Sequence, residues 1–365
     1  MKKAIVIANT KWFVLNFKAW LIKELSKNYK VEILFLNEGP KIKSSKLFEA
    51  NHIEFKKINF SYFLKNLINQ KSPEIILSFT IFGIFITPFL YPFTSKKIAT
   101  IEGFGRIFSS RNLIPRFLKR LVLIYYKLVF NLFFDKIIVL NYSDLGYLLD
   151  LQIITIKKVR YIPGTGIDTE LFSRKNMRNR NNKSNEINIG MISRYVIEKG
   201  FNKFIASKIS LLNQLANTNS VINYILIFPK NDIKKITLED IKYLESLNIK
   251  IKEYNENPLS IYEELDIIVQ PTNYFEGLSR VILEAGSLEI PIVTFKNRGI
   301  NDIIPNRKFG YIINNKSSPL SIALEIKKII NNPKKAKIKS NLLRKHIKTN
   351  FNTALVSRKF IDLLK

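Results

Sequence analysis

The stretch PTNYFEGLSRVILEAG, residues 271–286, sets two carboxylates, Glu276 and Glu284, on either side of what reads as a helix start. The apolar run DIIVQPT ahead of it has the pattern of a buried strand ending at Pro271. RVILEAGSL after it has the length and composition of a helix, with Ser279 as the N-cap candidate. Glu276 then belongs to the loop, and Glu284 sits about one and a half turns into the helix. Unpaired N–H groups at such a helix start attract an anion. Carboxylates beside them can accept hydrogen bonds from sugar hydroxyls, so the stretch suits a diphosphate with sugars attached. Spacing alone also fits an ordinary solvated helix face, and the surrounding segments have to decide between the two.

GMISRYVIEKGF, residues 190–201, places Arg194 and Lys199 just past a second strand-like run. A residue beyond the carboxyl end of a strand faces the ligand crevice of an open α/β sheet. A bidentate guanidinium and a compact ammonium there could grip one diphosphate from two sides. In a chain with 59 basic residues, two ordinary surface cations are the competing account. Gly200, opening the next helix, favours the ligand. IPGTGIDTELF, residues 162–172, has Gly164 and Gly166 to let backbone approach a ligand or to make a simple hinge. ATIEGFGRIF, residues 99–108, ends a strand in a loop with Gly103 and Gly105. Glu102 in that loop could orient an acceptor hydroxyl, or bond nearby backbone as a turn carboxylate. None of these loops is a GxGxxG fingerprint or a Walker loop.

Strands must hold these loops, and strand-like runs recur at residues 4–8, 31–36, 75–79, 98–101, 137–140 and 159–163. They restart at 187–192, 221–228, 249–252, 267–270, 292–295 and 311–313. Helical spacers lie between, the first being WFVLNFKAWLIKELSKN over residues 12–28. Such alternation predicts an α/β protein with parallel sheets covered on both faces. The polar stretch SRKNMRNRNNKSNE, residues 173–186, has no core and reads as a linker. The chain therefore divides into a first Rossmann-like domain over 1–172, the linker 173–186, a second such domain over 187–345, and a C-terminal helix over 346–365 expected to pack back on the first domain. Two doubly wound domains so joined predict a cleft facing the carboxyl ends of both sheets.

A chain of 365 residues suits two domains that each bury a core, and 46% hydrophobic residues support packing. The lack of cysteine excludes a disulfide framework, a thiolate metal site and a cysteine nucleophile. Only two histidines, His52 and His346, exclude a histidine-rich metal site. The net charge of +30 divides as +16 over residues 1–175 and +14 over the rest, so it is no basic tail on a neutral body. Nucleic acid, an anionic membrane and a phosphorylated ligand are all compatible with it. The joint excess of Lys, Ile and Asn, as in AT-rich coding, accounts for part of the charge. Residues 75–93 carry no charge and approach spanning length, but Gly83, Pro88 and Pro92 interrupt them. They read as a buried strand, a loop and a short helix. Residues 113–134 combine Arg116, Lys119, Arg120 and Lys127 with many aromatics, as a helix lying in a membrane interface does. A core helix with cations snorkelling at its edges is the alternative. The start MKKAIVIANT has a signal-like charge pair but too short an apolar run, and reads as a first strand.

Taken in order, IPGTGIDTELF, SRYVIEKG, EGLSRVILEAGSLEIPIVTF and the glycine loop NRGINDII resemble the retaining glycosyltransferases of family 4, with their two-domain GT-B fold. The likeness is specific over residues 162–313, where order, spacing and the strand before each motif agree. WFVLNFKAWLIKEL and TIEGFGRIF resemble a bacterial subset that extends lipid-linked oligosaccharides or surface polysaccharides, with N-acetylhexosamines among the sugars. By that resemblance Arg194 and Lys199 hold the donor diphosphate and Glu276 contacts the donor sugar. Backbone N–H groups of Leu278, Ser279 and Arg280, beside Gly277, bind the distal phosphate, and Glu284 binds the ribose. Asn16, Phe17, Glu102 and Gly103 fall on the acceptor side.

No metal and no other cofactor is implied. The implied enzyme is cytoplasmic and peripheral on the inner face of a bacterial membrane. Its partners are a nucleotide-sugar donor such as a UDP-sugar, a lipid-linked or surface-glycan acceptor (capsule or lipopolysaccharide) and an anionic lipid surface, with no nucleic acid. Three departures stand out: NTKWFVLNF lacks the glycine-rich loop of many members, neither histidine lies in a matching segment, and Ser279 replaces a common glycine. The rival accounts are a nucleotide-sugar epimerase on the same fold and a non-catalytic basic scaffold for membranes or polyanions. Arg194, Lys199, Glu276 and Glu284 together count against the scaffold, since an idle cleft has no physical need for all four.

Overall fold

The computed structural model describes residues 1–40, 52–59, 61–62, 72–92, 95–109, 113–177, 185–214, 220–254, 257–314 and 318–364. The chain forms two compact units. The first comprises residues 1–107, 111–166 and 354–365, and the second comprises 108–110 and 167–353.

In unit 1 a seven-stranded sheet runs in the order β3-β2-β1-β4-β5-β6-β7. Its strands are β1 Lys2–Thr10, β2 Tyr29–Asn37, β3 Ile53–Lys57, β4 Ile75–Phe79, β5 Lys96–Ile101, β6 Lys136–Val139 and β7 Val159–Tyr161. All neighbours pair in parallel, with Val6 opposite both Ile33 and Leu77. Ala4, Ile5, Val6, Ile7 and Ala8 are all buried because both faces of β1 are covered, which is why the strand reads as a continuous apolar run. The edge strand β3 was not expected. Its sequence IEFKK has only Ile53 and Phe55 as apolar residues, and a half-exposed edge needs no more.

The spacer expected as one helix over 12–28 is two, Lys11–Phe17 and Ala19–Leu25, broken at Lys18 with φ −124° and ψ 9°. The uncharged segment forms β4 and then the helix Thr80–Leu90, which packs so closely that a Cβ on Gly83 would lie 2.7 Å from the Ile7 carbonyl oxygen. No helix among the described residues is long and apolar enough to cross a membrane. The last helix, Thr353–Leu364, lies in unit 1, where Phe360 stacks on Phe79 and meets Trp20 edge-on.

The helix Leu113–Leu132 turns Tyr126, Val129 and Phe130 into the core. Its other side is also apolar: Phe117, Leu121, Ile124 and Leu128 are 64%, 47%, 66% and 56% exposed. Phe85 and Phe89 of the neighbouring helix are exposed beside it, with the Phe85 ring 5.0 Å from that of Tyr125. Arg120 and Lys127 are exposed on this helix, and Lys119 lies 5.4 Å from the Tyr147 ring. The side chain of Arg116 lies outside the described residues. The helix is thus part of the core and, on its outer face, an apolar surface rimmed by cations.

Unit 2 holds a six-stranded parallel sheet in the order β10-β9-β8-β11-β12-β13. Its strands are β8 Glu186–Ile192, β9 Val221–Phe228, β10 Ile249–Glu253, β11 Ile267–Gln270, β12 Ile292–Phe295 and β13 Tyr311–Ile313. One face is covered by the helices Phe201–Leu212 and Pro319–Asn331, which add Phe204, Leu211, Ile322 and Ile326 to the core. The other is covered by Arg280–Ser287 and Pro333–Asn350, through Ile282, Leu283, Leu343 and Ile347.

The crossing into unit 2 falls after Gly166, ahead of the expected 172. Ile167 already belongs to the second unit because its N–H donates to the Phe351 carbonyl at 2.8 Å and its carbonyl accepts from Thr353 N–H at 3.1 Å. The return falls after Thr353 rather than at 346, since the helix Pro333–Asn350 is continuous. Within the expected linker, residues 178–184 lie outside the described residues. In each sheet the strand order reverses beside the first strand, between β1 and β4 and between β8 and β11. Ligands of doubly wound sheets bind at the carboxyl ends of such strands.

Candidate active site

At the reversal point of unit 2, β8 ends at Ile192 and β11 at Gln270. The Gln270 amide donates to the Ile192 carbonyl at 2.9 Å, so the two strand ends are fixed to each other. The loops beyond them are joined as well: Asn273 N–H donates to the Glu198 carbonyl at 2.8 Å. Between them Gly200 has φ +86°, and a Cβ there would lie 2.1 Å from the Pro271 carbonyl oxygen. Only glycine satisfies both the left-handed backbone and the close approach. This junction brings the Lys199 ammonium to 2.5 Å from Glu276 Oε1. Tyr274 lies under both cations, its ring centroid 4.8 Å from Lys199 Nζ and 5.5 Å from the Arg194 guanidinium carbon. Arg194 is exposed, while Lys199 and Glu276 are largely covered. Tyr274 was not singled out in the sequence, although it stands two residues before Glu276 in PTNYFEG.

The loop after β12 closes over the same region. The Asn297 amide donates to the carbonyls of Thr272 at 3.1 Å and Tyr274 at 2.9 Å. Gly299, with φ +71°, fits so tightly that a Cβ would fall 2.7 Å from the Glu276 carbonyl oxygen and 2.6 Å from that of Gly277. The glycine loop NRGINDII therefore shapes the backbone around Glu276.

Ser279 is the residue at the N-cap of the helix Arg280–Ser287, as expected, but its hydroxyl caps no N–H and no acidic residue occupies the first turn. The positive end of the helix dipole favours an anion there. Glu284 is not on a solvated face; it is 2% exposed. Its Oε2 accepts from the Tyr262 hydroxyl at 2.7 Å and its Oε1 from Arg280 Nε at 2.5 Å. A carboxylate buried this far must be paired and hydrogen-bonded, and these two donors meet that demand. Burial, and then the Glu284 charge, push the Tyr262 hydroxyl well above its ordinary range. The same two causes push Tyr254 up to about 12. Both phenols stay protonated, so Tyr262 remains a donor. Tyr262 lies in a separate helix, Pro258–Glu263, and no local pattern links it to Glu284.

In unit 1 the acceptor-side candidates gather around an unexpected residue. Lys18 is 1% exposed and its ammonium lies 2.8 Å from Glu102 Oε1. The rings of Phe79 and Phe13 lie 4.7 and 5.5 Å from the same ammonium. The helix break at Lys18 allows this inward turn. Gly103 follows with φ +100°. Phe17 packs on Trp12 and Phe13, and Asn16 is exposed. His346 is a packing residue between Phe309 and Phe351, with a ring nitrogen 3.2 Å from the Asp302 carbonyl.

Residues 173–346 match the family model described as Glycosyl transferases group 1. The capsular polysaccharide biosynthesis glycosyltransferase CapM of Staphylococcus aureus is 26% identical over 169 residues, 46% of this chain and 43% of CapM. The match thus spans less than half of that relative's length. Among solved structures, Anabaena HepE in complex with UDP and glucose superposes with a TM-score of 0.77 at 15% identity, over 100% of this chain and 99% of HepE. The sucrose-phosphate synthase of Thermosynechococcus elongatus gives 0.74 at 13% identity, over 100% and 98%. A TarM variant of Staphylococcus aureus, with fondaparinux, α-GlcNAc-glycerol and UDP, gives 0.61 at 19% identity, over 83% and 57%. These likenesses establish the fold as GT-B, built from two Rossmann-like α/β domains.

Proposed function

We propose that this protein is a retaining glycosyltransferase that moves a sugar from a nucleotide-diphospho-sugar to a glycan or lipid-linked acceptor. The observation that carries the reading is the grouping at the β8–β11 reversal: a Lys199–Glu276 pair 2.5 Å apart, Arg194 beside it, and a helix start without a side-chain cap. The donor diphosphate would lie between Arg194, Lys199 and the N–H groups of Leu278, Ser279 and Arg280. Glu276 would then accept from hydroxyls of the transferred sugar, and Glu284, held by Tyr262 and Arg280, from the ribose. In the reaction the bond from the anomeric carbon to the diphosphate breaks and a bond to the acceptor oxygen forms on the same face. The acceptor proton passes to the leaving diphosphate, so no protein base is required. Preorganised donors around the departing oxyanion supply the main stabilisation.

Those cations and N–H groups carry the neutralisation assigned elsewhere to a metal, so transfer should persist in excess chelator. Peripheral attachment to a membrane is supported by the apolar, cation-rimmed face of the helix Leu113–Leu132. The test is incubation with a panel of nucleotide-sugars, with and without chelator, followed by product mass and anomeric configuration. Release of the nucleoside diphosphate with a transferred α-linked sugar from an α-linked donor supports the reading. Isomerised donor without transfer supports an epimerase instead, and an inverted product overturns retention.

A further inference from the structure

At the carboxyl ends of β12 and β13, unit 2 contains a cavity of about 670 Å³. Its walls include Phe275, Lys296, Arg298, Asn301, Asn306 and Asn314, and among the described residues no aspartate or glutamate lines it. Lys296 is exposed and makes no ion pair with a described residue. The Arg298 guanidinium carbon lies 4.8 Å from the Phe275 ring centroid. Arg307 also borders the cavity, but its charge is countered by Glu325 at 2.7 Å, and a second N–H donates to the Ile312 carbonyl at 2.9 Å. A carboxamide offers both donors and acceptors to hydroxyl groups, and four asparagines, Asn297, Asn301, Asn306 and Asn314, line the same cavity.

This cavity shares a wall with the candidate donor site. Phe275 directly precedes Glu276, and the loop carrying Arg298 is bound to the Glu276 loop through Asn297 and the close fit of Gly299. We propose that the cavity binds an acidic sugar unit, bearing a carboxylate or a phosphate, and that this unit belongs to the acceptor glycan. Lys296 receives the anion, and the Arg298 guanidinium on the same wall adds positive charge. The asparagine amides receive the ring hydroxyls. That the unit belongs to an acceptor rests on the glycosyltransferase reading; the anionic-sugar site itself does not.

The test uses the full chain at constant ionic strength, with glucuronate, glucose 6-phosphate and glucose as probes and calorimetry or ligand-observed NMR as readout. Both acidic sugars should bind at least about tenfold more tightly than glucose, as for a charge-assisted contact. Lys296→Glu should abolish that preference and Lys296→Gln should weaken it, with UDP affinity and the melting profile unchanged in both. Preference for carboxylate over phosphate, or the reverse, identifies which acid the acceptor carries. Equal binding of glucose and glucuronate, or an acid preference that survives Lys296→Glu, overturns the site. Lys296-dependent binding of acidic sugar without any nucleotide binding would keep the site and remove the glycosyltransferase reading. UDP binding without acidic-sugar binding would do the reverse.

Discussion

Lys199 and Glu276 pair at 2.5 Å, so under the proposed function an arriving diphosphate would meet a cation already held in place by a carboxylate and an aromatic ring. Replacing Lys199 or Arg194 by alanine should lower turnover by roughly 10²–10³, the range for losing one preorganised donor. Melting temperature should stay near that of the unaltered protein; near-normal turnover in both variants would refute the assignment. Glu284 tests a different step, because the ribose contact proposed for it would already exist in the ground state. Glu284→Gln should weaken bare nucleoside diphosphate binding by about 1–3 kcal/mol. Tyr262→Phe should weaken it by about 1 kcal/mol, since it removes one neutral-to-charged hydrogen bond that orients Glu284. Glu276→Gln should leave nucleotide binding nearly intact while transfer falls. Titration calorimetry separates these outcomes, and equal losses for Glu276→Gln and Glu284→Gln would remove the division of labour.

At the level of elements, the site depends on how tightly two loops cross. Gly200 has φ +86° and sits where a Cβ would be 2.1 Å from a backbone oxygen, which cannot move aside as a side chain can. Gly200→Ala should therefore destabilise unit 2 by about 2 kcal/mol or more, through the left-handed conformation and the displaced Pro271. The same shift pulls Lys199 from Glu276, so nucleotide affinity should fall together with stability. Gly146→Ala is the control: it lies in the helix Tyr142–Asp150 and an added Cβ meets nothing within 4 Å. That change should be neutral or stabilise by up to about 1 kcal/mol. Chemical denaturation of both variants measures the difference, and equal effects would refute the packing argument.

For the molecule as a whole, the proposed peripheral attachment would set the outer face of Leu113–Leu132 and the basic excess against a lipid surface. The protein should sediment with anionic vesicles, bind neutral ones poorly and detach as salt shortens the screening length. Each exposed cation near such a surface contributes about 1 kcal/mol. Reversing Arg120 and Lys127, or replacing Ile124 and Leu128 by serine, should release the protein without unfolding it, because all four side chains are exposed. Transfer to a soluble acceptor should survive in those variants. Vesicle binding indifferent to lipid charge would count against the electrostatic part, and binding unchanged by the serine variants against the apolar part.

Period and order along the chain were enough to reveal two parallel sheets, because strands buried on both faces must be continuously apolar and their helices must recur between them. The same logic placed Arg194, Lys199, Glu276 and Ser279 at strand and helix ends, where an open α/β sheet exposes its loops. β3 escaped because an edge strand needs little apolar content, and the break at Lys18 escaped because helical spacing continues across it. Only the tertiary structure showed that Lys18 is buried against Glu102, that Glu284 faces inward, and that Tyr262 and Tyr274 support the charged groups. The reason is physical: which end of a sheet a residue occupies follows from its place along the chain, whereas its partners come from segments distant in sequence, brought together by packing that no local period encodes.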